Sequence, residues 1–421
     1  MRGWWRDTAG GLPGTYWYLW SGLLINRIGA FAMLFMSVYL TEERGASASL
    51  AGLVVGGYGI GGVAGTLLGG VLADRWGRRA TLLWSHAAAA AIMVALAFTG
   101  SVAVIAVLTV ALGLVHSMPM PAFVAAIVDV VPAPRRSRAF NLQFWAFNLG
   151  MAGAGLLAGV LASVSYVALF LADAAATTVT VVLIAWKVPE TIRRGRTAPP
   201  GTRGGLLTAL TDRPYLIFVG LTFVLAALSA QPSTLMPLAM RADGLSPTAY
   251  GTVVAVSAAL IVAGQLFVPR LIDGHRKHTV LAAALTLTGA GFAALAIADH
   301  VALYLAAAVV WTIGAMLAAP PNAEINAELA PEDLRGRYQS VFSLTFPAAA
   351  FLTPALGGLS LDHLGPWHWL LSGALGLLAA AGHLLTGPAR DREATRRRTP
   401  APPQQSTSDR PHSHQPHTAT I

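Results

Sequence analysis

Gly70-Val71-Leu72-Ala73-Asp74-Arg75-Trp76-Gly77-Arg78-Arg79 closes one long apolar run and opens the next. A second segment, Pro269-Arg270-Leu271-Ile272-Asp273-Gly274-His275-Arg276-Lys277-His278, occupies the same setting, and Asp273 lies 199 residues after Asp74 (273 − 74). A charged hinge between apolar stretches, repeated at about half the chain length, predicts two like halves embedded in a membrane.

Composition points the same way. The 421 residues are 55% hydrophobic and 11% charged, whereas soluble domains carry about 25% charged residues. So little charge cannot cover the two or three water-soluble domains that this length would otherwise form. Lipid is the expected solvent. The absence of cysteine excludes disulfides, thiolate metal sites and thiol catalysis. The net charge of +9 sits mostly in short turns, where anionic lipid headgroups are the expected neighbours and nucleic acid is not. The first apolar run, Tyr16 to Leu40, is too long for a signal-peptide core and reads as a membrane span.

A hydrocarbon core about 30 Å thick takes roughly 20 mostly apolar helical residues. Twelve windows qualify: 16–40, 50–72, 80–99, 102–128, 139–161, 165–187, 214–240, 249–272, 279–298, 301–327, 338–361 and 367–386. Helices are expected because each segment must satisfy its own backbone hydrogen bonds in lipid. All but three of the 28 Lys and Arg fall in the even-numbered turns or at the chain ends; Arg27, Arg44 and Arg241 are the exceptions. By the positive-inside rule both termini are cytoplasmic. The expected organisation is an N-terminal bundle (1–187), a flexible cytoplasmic linker (188–213) carrying Arg193-Arg194-Gly195-Arg196, a C-terminal bundle (214–386) and a disordered cytoplasmic tail (387–421). His412, His414 and His417 in that tail either bind a metal ion or belong to a low-complexity segment.

The offset of 199 aligns more than the hinge. It pairs Gly45 with Gly244, Ser47 with Ser246, Pro121 with Pro320, Pro132 with Pro331, Arg136 with Arg335 and Arg138 with Arg337; Asp129 meets Glu328. Six spans per unit give both copies the same sense in the membrane, so a pseudo-twofold axis along the membrane normal should relate them. Two such bundles can rock about a shared midplane cavity.

The segment Gly70 to Arg79, placed between spans two and three, resembles the loop motif of the major facilitator superfamily. The six-plus-six repeat and Pro189-Glu190-Thr191 after span six fit the same family, and the stretch from Asn26-Arg27 to Tyr39-Leu40-Thr41 resembles the first helix of bacterial drug-efflux members. The resemblance covers residues 16–386. Span five, Gly150 to Gly159, lacks the proline that drug:proton antiporters usually carry there. The resemblance implies an all-α integral membrane protein, twelve transmembrane helices in two pseudo-symmetric six-helix bundles, working by alternating access. The expected activity is proton-coupled export of small amphipathic or drug-like molecules. The alternative is uptake or facilitated diffusion of a metabolite, an anion if Arg27 draws it. A non-transporting sensor or a membrane enzyme is the competing class. An enzyme is not expected, since no nucleophile or metal constellation converges. No nucleotide-cradling loop and no His-Glu-x-x-His pair occur, so neither cofactor nor metal is expected. A monomer in a bacterial plasma membrane, with lipids, protons and a small-molecule substrate as partners, completes the expectation.

Two groups of residues are singled out. Gly70, Asp74, Arg75, Gly77, Arg78, Arg79 and Asp129 read as a conformational latch, with Asp74 meeting a helix N-terminus of the other half and Arg78 pairing with Asp129; these contacts should form when the cytoplasmic side closes. The bland alternative is topogenic charge. The second group is the substrate or proton pathway. Arg27 lies mid-span, where a charge costs about 2.5–3.5 kcal/mol on insertion scales, and Asp173 in span six is its nearest candidate partner by depth. His116 in span four is a proton carrier, a substrate contact or a histidine bonded to a helix carbonyl. Glu324 and Asn322 follow Pro320-Pro321, which should kink span ten into a gate, although Glu324 can equally reach the headgroups. Asn26, Gln231, Gln265, Trp145, Asn148 and Trp311 are further cavity candidates.

Overall fold

Apolar runs of this length fold as helices, and the computed structural model, which describes residues 10–191, 206–264, 267–331 and 334–398, has helices and no strand among those residues. Twelve helical spans are long and apolar enough to cross a membrane. Four are interrupted. Span one divides into Gly14–Ile28 and Ala32–Glu42, span four into Val102–Ser117 and Pro119–Val130, span seven into Arg213–Thr234 and Met236–Ala242. Span eight ends at Gly264 and a short helix follows at Val268–Ile272. Proline accounts for the breaks in spans four and seven: Pro119 starts one half-helix, and Pro232 and Pro237 flank the other break. Span ten is different. Val301–Leu329 runs through Pro320 and Pro321 as one helix, so the expected kink does not interrupt it.

The ends also differ from expectation. Residues 206–211, assigned to the linker, form a helix (Leu206–Thr211), and the last span continues to Arg398, through the first third of the expected disordered tail. His412, His414 and His417 lie outside the described residues.

The repeat is written into individual contacts. Tyr16 Oη donates to the Ala139 carbonyl at 2.8 Å, and Tyr215 Oη, 199 positions later, donates to the Tyr338 carbonyl. Arg78 pairs with Asp129 at 3.1 Å, and Lys277 pairs with Glu328. Ser47 and Ser246 each cap the helix that follows, accepting from Leu50 N and Ala249 N at 3.2 Å. Gly45 and Gly244 turn the chain at φ 64° and 75°, a left-handed conformation that a side chain would strain. Three matched interactions and a matched glycine turn at one offset make the two bundles structural copies.

The bundles meet along two seams, span two (Ala48–Arg75) against span eleven (Arg335–Leu364), and span five (Arg136–Val164) against span eight. Glycine allows backbones to approach this closely. A methyl group at Gly56 or Gly59 would lie 2.7 Å from backbone atoms of Phe351; one at Gly155 would lie 2.8 Å from the Gly251 carbonyl. On the other face of span two, Gly61, Gly65 and Gly69 admit the backbone of span four. The seams close on the face of the odd-numbered turns. There Glu42 pairs with Arg241, Ser49 N donates to Asp362 Oδ2 at 2.7 Å, and Phe35 stacks edge-on against Tyr250 at 5.1 Å. Toward the basic face the glycines of span two face span four.

Candidate functional site

Charges at the ends of helices have specific work to do, and the loop between spans two and three shows it first. Gly77, at φ 109°, lets the chain reverse between the two helices. The helix that follows leaves its first N–H groups unpaired, and Glu190, from the segment after span six, accepts from Arg78 N at 2.9 Å and Arg79 N at 3.1 Å. Arg78 Nε donates to Asp129, and its Nη1 lies 3.3 Å from Asp74 and 2.8 Å from the Ala73 carbonyl. Arg79 donates to the Ala185 carbonyl at 2.6 Å. All these contacts stay within the N-terminal half. Asp74 has 75% of its side chain exposed, and its ion pair is with Arg78 of its own half. The Arg78–Asp129 pair is therefore made within one half.

Arg27 and Asp173 do not form an ion pair. Asp173 Oδ2 accepts from both Phe31 N and Ala32 N at 3.1 Å. It caps the outer half of span one across the break at residues 29–31. Arg27 lies in the last turn of the inner half, where the carbonyl end of a helix favours a cation. The two charges thus serve the facing helix ends at the break. Gly29 permits it, since Ala176 of span six packs where a side chain would go. The Arg27 guanidinium lies 4.5 Å from the centre of the Phe147 ring.

Beside Arg27, a small pocket of about 40 Å³ lies inside the N-terminal half, and Asn26, His86, His116 and Thr180 add its other polar side chains. Asn26 donates to Thr177 at 3.2 Å, His86 Nδ1 to the Leu82 carbonyl at 2.7 Å, and His116 Nδ1 lies 3.3 Å from Tyr58 Oη.

A larger cavity of about 290 Å³ lies between the halves, beneath the closed seams. Phe147 and Met151 come from span five; Met236, Tyr250, Phe292 and Trp311 come from the other half. Among the described residues its polar lining is Asn148, hydroxyl groups and the Trp311 indole N–H, and none carries a charge. Trp311 stacks on Phe292 with ring centres 5.1 Å apart.

The remaining candidates are otherwise engaged. Gln231 is buried against Ser372 at 3.0 Å and does not line the cavity. Glu324, 57% exposed, pairs with Lys277 at 2.9 Å at the basic end of span ten, and Asn322 accepts from Thr222. Gln265 lies outside the described residues. Gly70 makes no close approach, and a methyl group there would meet nothing within 4 Å.

The family model described as Major Facilitator Superfamily matches twice, over residues 19–241 and 218–414, about once per bundle. The chain belongs to the Major Facilitator Superfamily. It is therefore a transporter and a multi-pass membrane protein, not an enzyme. Among its relatives in this superfamily, the uncharacterized MFS-type transporter YttB of Bacillus subtilis is 29% identical over 82% of this chain and 87% of its own. A Na(+), Li(+), K(+)/H(+) antiporter of Planococcus maritimus is 24% identical over 83% and 90%. The multidrug resistance protein MdtH of Aeromonas hydrophila is 25% identical over 86% and 92%. A solved POT family transporter in complex with a thioalcohol-conjugated peptide superposes with a TM-score of 0.80 over 91% of this chain and 98% of that one, at 12% identity, a likeness of fold.

Sequence reasoning missed three residues that this geometry singles out. His86 interrupts an alanine-rich span, and a titratable side chain at that depth was a signal. Glu42 lies 199 residues before Arg241 and joins the halves. Tyr58 follows a glycine run whose packing drew attention away from its hydroxyl.

Proposed function

We propose that this member of the superfamily exports small amphipathic compounds in exchange for protons. The uncharged, aromatic-lined cavity between the halves carries the reading. Such a wall gains free energy by taking apolar surface out of water, and its scattered hydroxyls orient a few polar groups without demanding one charge. With the basic face cytoplasmic, as the charge asymmetry indicates, the cavity opens inward and can load from the cytoplasm or the inner leaflet. The names of two relatives, a multidrug resistance protein and a cation/proton antiporter, support export and proton exchange.

Asp173 is the proton carrier in this reading. It is the fully buried carboxylate among the described residues, 2% exposed, and it holds the break in span one. As a carboxylate it favours the helix N-terminus by about 0.3–1 kcal/mol, up to ~2 in buried settings. Protonation removes that charge and loosens the outer half of span one, which packs on span seven and the half-helix Met236–Ala242 at the closed face.

Everted vesicles with an acid interior, a fluorescent amphipathic dye and Asp173→Asn test this. Gradient-driven dye uptake should fall at least tenfold while dye exchange without a gradient persists. Gradient-driven uptake equal to wild type would remove Asp173 from the coupling, and no dye transport by wild type across a broad panel would remove the substrate class.

A further inference from the structure

The transport cycle described above leaves one buried feature unused: the small pocket inside the N-terminal half. Four spans build it. Asn26 and Arg27 come from span one, His86 from span three, His116 from span four and Thr180 from span six. Among the described residues its remaining walls are apolar side chains and Gly22, and none is a carboxylate.

Three of the polar groups keep free donors. Arg27 is permanently cationic and offers only donors. Its Nε is buried with no hydrogen-bond partner, and no ion pair joins it to a described residue. Asn26 uses Nδ2 on Thr177, and one hydrogen of that amide group remains. With Tyr58 donating to His116 Nδ1, His116 keeps Nε2–H as a donor. The Leu82 carbonyl holds the proton of His86 on Nδ1, so its Nε2 is an acceptor and adds no donor. Thr180 donates to the Ala176 and Gly22 carbonyls. Asp173, the nearest acid, is committed to the two backbone N–H groups at the break. Arg27, Asn26 and His116 thus keep free donors beside a cation whose one acidic neighbour is engaged elsewhere, and that set is complementary to an acceptor.

Size narrows the class. The space open to water-sized groups is about 40 Å³, room for a few waters or one small polar group, since one water needs about 10–15 Å³ by that measure. A whole drug-like molecule does not fit. Met120 lines the pocket and is 37% exposed, so the pocket is not sealed. On the other side, Arg27 stacks on Phe147, which lines the cavity between the halves.

We propose that this pocket binds a small monoanion, with Arg27 supplying the charge and Asn26 and His116 supplying hydrogen bonds. The shared chemistry is a compact, singly charged acceptor. It can arrive as a free halide or as the carboxylate end of a transported compound.

Thermal unfolding of the full-length protein in detergent, followed by tryptophan fluorescence, tests the proposal without a transport step, so its result does not depend on the export reading. Sodium chloride, bromide, acetate and benzoate are titrated at constant ionic strength against isethionate, whose tetrahedral sulfonate head is larger than a halide or a planar carboxylate. Wild type should show a saturable rise in Tm with at least one probe. Saturation by halides places a free anion in the pocket; saturation by carboxylates alone places a substrate carboxylate there. Arg27→Gln should abolish the response. Because that variant changes a buried charge and can fail to fold, Asn26→Ala and His116→Ala are measured beside it, each expected to raise the half-saturating concentration at least fivefold. A wild-type Tm indifferent to all four anions, or saturation unchanged in both alanine variants, would overturn the site.

Discussion

Gly56→Leu should pry open the face that the structure shows closed. The ideal Cβ at this position lies 2.7 Å from the Phe351 carbonyl and 3.2 Å from Phe351 Cδ2, where ordinary contact begins at 3.4 Å. The nearer neighbour is backbone, which no rotamer change removes. Leucine therefore forces spans two and eleven apart. Overpacking of this kind costs about 1–3 kcal/mol, and the cost falls on the closed arrangement alone because the contact exists only there. The gain in helix propensity, about 0.8 kcal/mol for replacing glycine, is common to both arrangements and cancels. A bias of 1–3 kcal/mol changes a two-state ratio by about 5- to 150-fold. The natural chain has no cysteine, so Ser233→Cys, in the central cavity, is a single reporter. Labelling by a membrane-impermeant maleimide added at the odd-turn face should accelerate at least fivefold in Gly56→Leu. Gly220→Leu is the control, since a Cβ there meets nothing within 4 Å. Equal labelling of folded Gly56→Leu and wild type would refute the claim that this seam sets the closed state.

Glu42→Gln tests the ion pair on the same face. Arg241 is 48% exposed and Glu42 26%, and exposed pairs are worth about 0.2–1 kcal/mol, so labelling of the same reporter should rise no more than about fivefold; a larger rise would make the pair, not the glycine seam, the principal gate. Glu190→Ala removes the carboxylate that caps span three and should cost about 0.5–2 kcal/mol, read as a lower thermal midpoint. An unchanged midpoint would show that the cap contributes nothing to stability.

Hydropathy made the twelve spans legible because lipid leaves the chain no alternative to long apolar helices. The repeat was legible because Asp, Pro and Arg recur at one offset through otherwise interchangeable Val and Ala. The break in span one was hidden. No proline marks it, and the carboxylate that stabilises it comes from residue 173, far along the chain. For the same reason Arg27 and Asp173 looked like partners by depth when each serves a helix end. The segment Arg390–Arg398 read as tail because of its charge, yet its Ala, Arg and Glu are good helix formers and extend span twelve. Glu42 and Arg241 carried a signal that was overlooked. A residue and its own repeat counterpart meet only near the pseudo-twofold axis, and opposite charges at those positions mark a contact between the halves.

That axis also supplies the decisive measurement. Glu43 and Ala242 are counterparts on the closed face, Trp76 and His275 on the basic face, and all four are exposed. Spin labels on double-cysteine variants of each pair report two distances by pulsed electron resonance as pH is lowered and substrate is added. Rocking bundles predict opposite changes, the Glu43–Ala242 distance lengthening as the Trp76–His275 distance shortens. Two distances that stay fixed, or that lengthen and shorten together, would contradict alternating access by these halves.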